Sequence, residues 1–331
     1  MPNTIVGPSL PQIPWEDRPA GCSEVVWRYS GNPIIGWNPI PCAARIFNSA
    51  VIPYDGAFAG VFRADYRNGL PKNLHVGKSA DALSWEIEHE GIRWVDAGGR
   101  ARPTSYAYDP RVVLLEGDYY VTWCDDFPGP SIGLGRTKDF KRFERMETAL
   151  MPFNRNGVLF PRKIGGYYVM LSRPSDSGHT PFGDIVLSHS PDLVFWGRHR
   201  LVMRRGGMSW WQGVKIGAGP VPIETTCGWL MIYHGVSGPC NGFVYSMGAA
   251  LLDLDDPSRV RFRTRDYLLT PERDYETVGF VPNVAFPCAT LQDADTGRIA
   301  IYYGAADTYT AVAFTQVDEL LDHLRHNSEV F

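Results

Sequence analysis

Residues 185–199, IVLSHSPDLVFWGRH, decide how the rest of the chain is read. A short apolar strand runs into Ser190-Pro191-Asp192, a turn of small polar residues, and the chain then reaches an aromatic pair, Phe195-Trp196. The same order recurs in HVGKSADALSWEIE at 75–88 and IGLGRTKDFKRFER at 132–145, with a looser copy in GAALLDLDDPSRVRF at 248–262. Before each copy lies a hairpin of apolar strands joined at Gly, Asp or Asn. The second strands of these hairpins are FAGVFRADYRNG (58–69), YYVTWCDDFPGP (119–130), YYVMLSRPSDSG (167–178) and WLMIYHGVSGPC (229–240). A fifth, IAIYYGAADTYT (299–310), completes the series. Period-two patterning with turn residues between runs is the mark of antiparallel strands. A unit repeated at fixed order is the mark of a propeller or solenoid.

Five copies of a four-stranded unit predict an all-β, five-bladed β-propeller over residues 45–314, favoured over a β-sandwich because the units recur in order. Residues 1–44 form an N-terminal arm. In residues 315–331, Val317, Leu320, Leu321 and Leu324 repeat at helical spacing, which predicts a C-terminal amphipathic helix in place of the fifth outer turn. The arm is too apolar to hang free, so it either packs across a blade or joins a neighbouring subunit in a homo-oligomer.

Composition restricts the function. Ten Trp, 16 Tyr and 16 Phe favour flat ligands such as sugars. A net charge of -4 without a basic run argues against nucleic acid. With no signal-like leader and no apolar run of spanning length, the expectation is a cytoplasmic protein that does not enter a membrane. Six scattered cysteines read as reduced thiols buried as small hydrophobes, and without His-Glu-x-x-His or Cys-x-x-Cys spacing no metal is expected.

In a propeller the inner strands of all blades line one channel, so equivalent positions converge. Aligning the repeats gathers Arg63 and Asp65, Asp125 and Asp126, Arg173, His234 and Asp307 at one strand end. Neighbouring strands add Asn48, Ser49, Asp109, Arg111, Arg155, Lys215 and Asn283. Any one of these alone reads as a solvated turn residue; together they form a polar pocket suited to an anion, because buried charge needs a partner. Asp109 precedes Pro110, which biases it toward extended geometry, and strand alternation puts Arg111 on the same side, where a local ion pair would merely pin the blade. Tyr108 and Trp123 are candidates for stacking on sugar, and GMSWWQG (207–213) for shaping a subsite.

YDPRV (108–112), FNRNGVLFPRKI (153–164), LSRPSDSGHTPFGDI (171–185), KIGAGPVPIET (215–225), WLMIYHGV (229–236) and IAIYYGAADT (299–308) carry a resemblance. From about Arg45 to Asp307 the chain resembles glycoside hydrolase family 130, the inverting β-mannoside phosphorylases, and most of all its 4-O-β-D-mannosyl-D-glucose phosphorylase branch. The oligosaccharide branch tends to carry Glu where this chain has Tyr108, and a different stretch at Asn156-Gly157-Val158.

The resemblance implies reversible inverting phosphorolysis of 4-O-β-D-mannosyl-D-glucose to α-D-mannose 1-phosphate and D-glucose, with inorganic phosphate as co-substrate and no cofactor. Asp109 matches the family's proton donor, which acts through the mannosyl 3-hydroxyl. Arg155, Arg173, Lys215, His234 and Tyr245 match its phosphate site. Asn48, Ser49, Arg63 and Asp307 match positions that hold the mannosyl unit, and Tyr108 is the added stacking candidate. The alternatives are a mannooligosaccharide or mannosyl-N-acetylglucosamine phosphorylase, a hydrolase with Asp125 or Asp126 as base, and a sugar-binding propeller without turnover.

Overall fold

The recurring Ser/Thr-x-Asp turn folds identically in three places. In the first, Asp81 Oδ1 accepts from the backbone N–H groups of Leu83 and Ser84 while Ser79 Oγ accepts from that of Ala82. Asp139 with Thr137, and Asp192 with Ser190, repeat the arrangement bond for bond. Such side-chain caps satisfy turn amides that the ladder cannot reach, which is why Asp and Ser or Thr recur at this spacing.

The computed structural model describes residues 4–67, 73–175, 183–207, 210–240 and 242–330. Between these turns the strands form five sheets arranged as a five-bladed β-propeller. The inner strands are Ala43–Tyr54, Ala107–Leu115, Asn154–Leu159, Lys215–Ala218 and Ala285–Gln292, each leading an antiparallel meander outward. Blade 2 gains Trp94–Val95, which pairs in parallel with Phe143–Arg145. Apolar residues fill the spaces between blades; Val61, Trp94, Val121 and Trp123 pack together between blades 1 and 2.

The fifth blade takes its last strand from the other end of the chain. The helix forms at Val317–His326 and buries Val317, Leu320, Leu321 and Leu324. Trp27–Arg28, from the N-terminal arm, pairs antiparallel with Tyr309–Gln316 and supplies the fourth strand. Two residues are too few to show a periodicity, so the sequence hid this strand.

Its side chains explain its grip. Trp27 packs edge-on to Trp15 and beside Phe314, and its indole N–H donates to Glu16 O. Arg28 forks onto the fully buried Glu276, with N···O distances of 2.8 and 3.0 Å, and Tyr303 Oη donates to the same carboxylate. Further back the arm crosses to blade 4, where Ile5 bridges Thr225.

None of the six cysteines forms a disulfide, but only Cys124 and Cys288 are buried, so four of them are not the buried small hydrophobes expected. No helix among the described residues is long and apolar enough to cross a membrane.

Because the arm strand ties the last blade shut through a buried indole, Trp27→Ala should lower unfolding free energy by about 3–5 kcal/mol. Phe195→Ala, at a ring 72% exposed, should change it by no more than about 0.5 kcal/mol. Urea unfolding monitored by circular dichroism measures both.

Candidate active site at the channel mouth

Three inner strands carry the same irregularity. Asn48, Asp109 and Asn156 adopt left-handed backbone with φ of 50°, 52° and 55°, each inside a register shift against the second strand of its blade. A bulge re-aims a side chain, and Asn and Asp tolerate this conformation better than other residues with a Cβ. Asn48 Nδ2 thereby donates to Asp109 Oδ1 at 2.9 Å across two blades. Gly304 makes room for it, since a Cβ there would lie 1.8 Å from Asn48 Oδ1.

The extended geometry expected of Asp109 is therefore not what forms. The bulge overrides the bias from Pro110, and Arg111 stabilises the turn by donating from Nη1 to the carbonyls of Asp109 and Pro110 at 3.1 and 2.9 Å. Arg111 also donates from Nε to Gly219 O in blade 4. It makes no ion pair with the Asp109 carboxylate; that role falls to Arg63, whose Nη1 lies 2.8 Å from Asp109 Oδ1. Arg63 is itself aligned by Asp65, 3.1 Å from its Nε, and by the Phe47 ring under its guanidinium.

Burial alone pushes the Asp109 carboxyl up. The Arg63 and Arg111 guanidiniums, with the hydrogen bonds from Asn48 and Arg63, outweigh it and hold the group below the ordinary carboxylate range. Asp109 is a carboxylate at neutral pH, with Oδ1 committed to Asn48 and Arg63.

Strand register identifies what faces the channel. Arg63 pairs with Phe47, Cys124 with Tyr108, Arg173 with Arg155, and His234 with Gly217. Blade 2 therefore presents Cys124, not Asp125 or Asp126, at the equivalent position. Asp125 points to the other face and is paired with Arg145 at 2.5 Å, and Asp126 accepts from Ser105 Oγ and Gly129 N. The sequence alignment was one residue out here.

Across from Asp109 the charges have the opposite sign. Arg173 Nη1 lies 2.8 Å from His234 Nε2. Burial, followed by the nearby Arg173, Lys215 and Arg111 charges, drives the His234 ring well below its ordinary pKa, so it is neutral and accepts this bond. Burial also lowers Arg173. Arg155 donates to Tyr108 Oη at 3.2 Å and to Ser175 O at 3.3 Å.

Lys215 sits 5.2 Å from the Tyr245 ring and is brought down to about 8 by burial and by repulsion from Arg173 and Arg155. Burial raises Tyr245 to about 12, so it stays a phenol. Among the described residues Arg155, Arg173 and Lys215 form no ion pair with a carboxylate. Such convergence of unneutralised cations is an anion site.

Asp307 is both a turn residue and a site residue. With Ala306 it forms the left-handed turn between Arg298–Ala305 and Tyr309–Gln316, and its charge acts on Arg63, Lys215 and Tyr245. Ser49 is buried beside Asn48, and among the described residues its Oγ has no partner. Sequence reading singled out neither Asp65 for its hold on Arg63 nor Asn156, whose Oδ1 has no partner among the described residues. The signal for Asn156 was present: Asn-Ser, Asp-Pro and Asn-Gly stand at one aligned position in three blades.

The aromatic expectations divide. Tyr108 stacks on Tyr106 at 5.3 Å beside the cations. Trp123 is core, stacked on Trp94 at 4.3 Å, and Trp211 is core against Tyr233. Of the GMSWWQG stretch only Trp210 is exposed among its large side chains, and Met208 and Ser209 lie outside the described residues, as do residues 176–182 of the LSRPSDSGHTPFGDI motif. Among the described residues no group of three or more His, Cys, Asp or Glu is placed to hold a metal ion.

Comparison with known proteins bears on this constellation. The family profile described as beta-1,4-mannooligosaccharide phosphorylase matches residues 9–326. A beta-1,4-mannooligosaccharide phosphorylase from Ruminococcus albus is 54% identical over 98% of both chains. A 4-O-beta-D-mannosyl-D-glucose phosphorylase from Bacteroides fragilis is 30% identical over 94% of this chain and 83% of its own. The structure of a beta-1,2-mannobiose phosphorylase from Listeria innocua superposes with a TM-score of 0.78 at 27% identity, covering 91% of this chain and 99% of its own.

The depressed Lys215 gives the anion site a pH limit. Its charge is complete below about 8 and is lost as pH rises through that value. Affinity for inorganic phosphate, measured by calorimetry, should fall above that point by up to about tenfold per pH unit. In Lys215→Arg, whose charge persists, this inflection should vanish.

Proposed function

The chain belongs to glycoside hydrolase family 130, and on that premise we propose that it is a phosphorylase of β-1,4-mannooligosaccharides that releases α-D-mannose 1-phosphate. The observation that carries this reading is Asp109, a buried acid held by Asn48 and Arg63, set against Arg155, Arg173 and Lys215, which form no ion pair with a carboxylate among the described residues. Hydrolysis with inversion needs a second carboxylate to activate water, whereas phosphate arrives already charged. Of the bases a hydrolase would have used, Asp125 is turned to the other face and ion-paired with Arg145, and Asp126 is occupied by Ser105 Oγ and the backbone N–H of Gly129.

The sequence reading favoured the mannosyl-glucose branch, on Tyr108 and on Asn156-Gly157-Val158. The relatives support the oligosaccharide alternative instead, at 54% identity against 30%. A physical reason accompanies the correction. Tyr108 accepts from Arg155 and Asn156 forms a channel bulge, so both belong to the acid and anion side and carry little information about the departing sugar.

In the proposed reaction Arg155, Arg173 and Lys215 hold phosphate below the mannosyl ring, with neutral His234 orienting Arg173 and the Tyr245 phenol able to donate. Asn48, Ser49, Arg63 and Asp307 grip the mannosyl unit. A phosphate oxygen forms a bond to the anomeric carbon as the bond to the leaving sugar oxygen breaks, with inversion. The proton on that oxygen comes from Asp109, relayed through the mannosyl 3-hydroxyl as the family resemblance implies. Asp109 is a carboxylate before substrates bind; a bound phosphate dianion offsets the field of the nearby guanidiniums and raises its proton affinity, so that Asp109 takes up a proton from solvent on binding and gives that proton to the leaving oxygen. The reaction as proposed uses no cofactor beyond phosphate as co-substrate.

Incubation of β-1,4-mannotriose with and without inorganic phosphate tests the reading. Mannose 1-phosphate and mannobiose should form only with phosphate. In the reverse direction mannobiose should outcompete glucose and N-acetylglucosamine as acceptor. Equal release of free mannose in both tubes would make the protein a hydrolase, and preference for glucose would return it to the disaccharide branch.

A further inference from the structure

Phe280 is 58% exposed, yet it is held as firmly as a core residue. Its backbone N–H donates to Thr308 Oγ1 at 2.9 Å, and that of Val281 donates to Ala306 O at 3.2 Å. Gly279 lies so close to the same turn that a Cβ would stand 2.5 Å from Ala306 O. The segment is thus riveted to the hairpin turn that carries Asp307. One end of it is anchored at Glu276, which accepts from Arg28 and Tyr303.

The ring is supported from one side as well. The Arg45 guanidinium stacks 3.8 Å from its centroid, and Arg45 Nη2 is in turn 3.3 Å from Asp65 Oδ2. From Asp65 the chain of contacts continues through Arg63 to Asp109. An apolar disc, fixed by hydrogen bonds and backed by a cation, stands with its second face open at the rim of the acid's own network.

Resting on the reading that the site transfers mannosyl groups to phosphate, we propose that Phe280 is the saccharide platform for the departing sugar. Its free face would take the apolar C–H face of the pyranose on the reducing side of the broken bond. The placement follows from the geometry of inversion. Phosphate and leaving group lie on opposite sides of the anomeric carbon. The cations stand on blades 3 and 4, whereas Phe280 stacks on Arg45 of blade 1 and is bonded to the hairpin turn of blade 5. Pre-fixing the ring also means that little side-chain freedom is lost on binding, which favours affinity.

The test uses Phe280→Ala and Phe280→Tyr in the full chain. In the synthetic direction, with mannose 1-phosphate as donor, Phe280→Ala should raise the KM for β-1,4-mannobiose as acceptor by about tenfold. Its KM for inorganic phosphate in the forward direction and its melting temperature should stay unchanged, and Phe280→Tyr should restore the acceptor KM. An acceptor KM within twofold of wild type in Phe280→Ala, or an equal rise in the phosphate KM, overturns the platform. Calorimetric titration of mannobiose into both proteins without turnover decides the matter independently. If the wild type makes no mannose 1-phosphate the function proposed above fails, while weaker mannobiose binding to Phe280→Ala would still uphold the platform and equal binding would overturn it.

Discussion

A carboxylate held in place by charges from a different blade is the constraint on which the site depends. Asp109 lies at a bulge whose left-handed backbone would otherwise be disfavoured, and its Oδ1 is met by Asn48 and Arg63 from blade 1. Arg63 can do this only because Asp65 neutralises and aligns it, and Asn48 only because Gly304 leaves space. Strain at one residue is offset by contacts from three blades. Any change in how blades 1, 2 and 5 meet alters the direction of the acid.

That dependence links the ends of the chain to the chemistry. Trp27–Arg28 completes the blade whose hairpin turn carries Asp307 and whose inner strand packs beside that of blade 1. Arg28 reaches Glu276, which anchors the segment leading to Phe280. Ring closure and site geometry are therefore one structural problem. The electrostatics are just as shared: Arg63 is ion-paired with Asp65 and Asp109 and lies in the field of Asp307, while among the described residues Arg173 and Lys215 make no ion pair and feel carboxylate charge only at longer range, from Asp109 and Asp307 respectively. Positive charge is neutralised where it must hold protein and left open where it can hold a ligand.

The repeat was legible in the sequence because its turns use side chains, Ser or Thr followed by Asp, to cap backbone amides that the strands leave free. Periodicity gave the strands and the C-terminal helix for the same reason: apolar faces must alternate with polar ones. The closing strand was not legible, since Trp27–Arg28 is defined by its partner rather than by any pattern of its own. The polar residues of the channel were found by alignment, but a bulge adds a residue to one strand and shifts everything beyond it. Asp125 was assigned to the channel when Cys124 belongs there, and Asp109 was expected to be extended. Trp123 is not a sugar platform because blades bury large aromatics between them, as they also bury Trp211, whereas Phe280 lies in a loop whose position only the folded turn at Ala306-Asp307 reveals.

The central claim is that a solitary acid works opposite a separate anion site, so removing the acid's proton should abolish turnover and leave the anion site intact. The direct measurement is phosphorolysis of β-1,4-mannotriose by Asp109→Asn at saturating phosphate, with phosphate binding followed on the same protein. The account predicts a rate lower by about 10²–10⁴-fold with phosphate affinity retained. A rate within tenfold of wild type would contradict it.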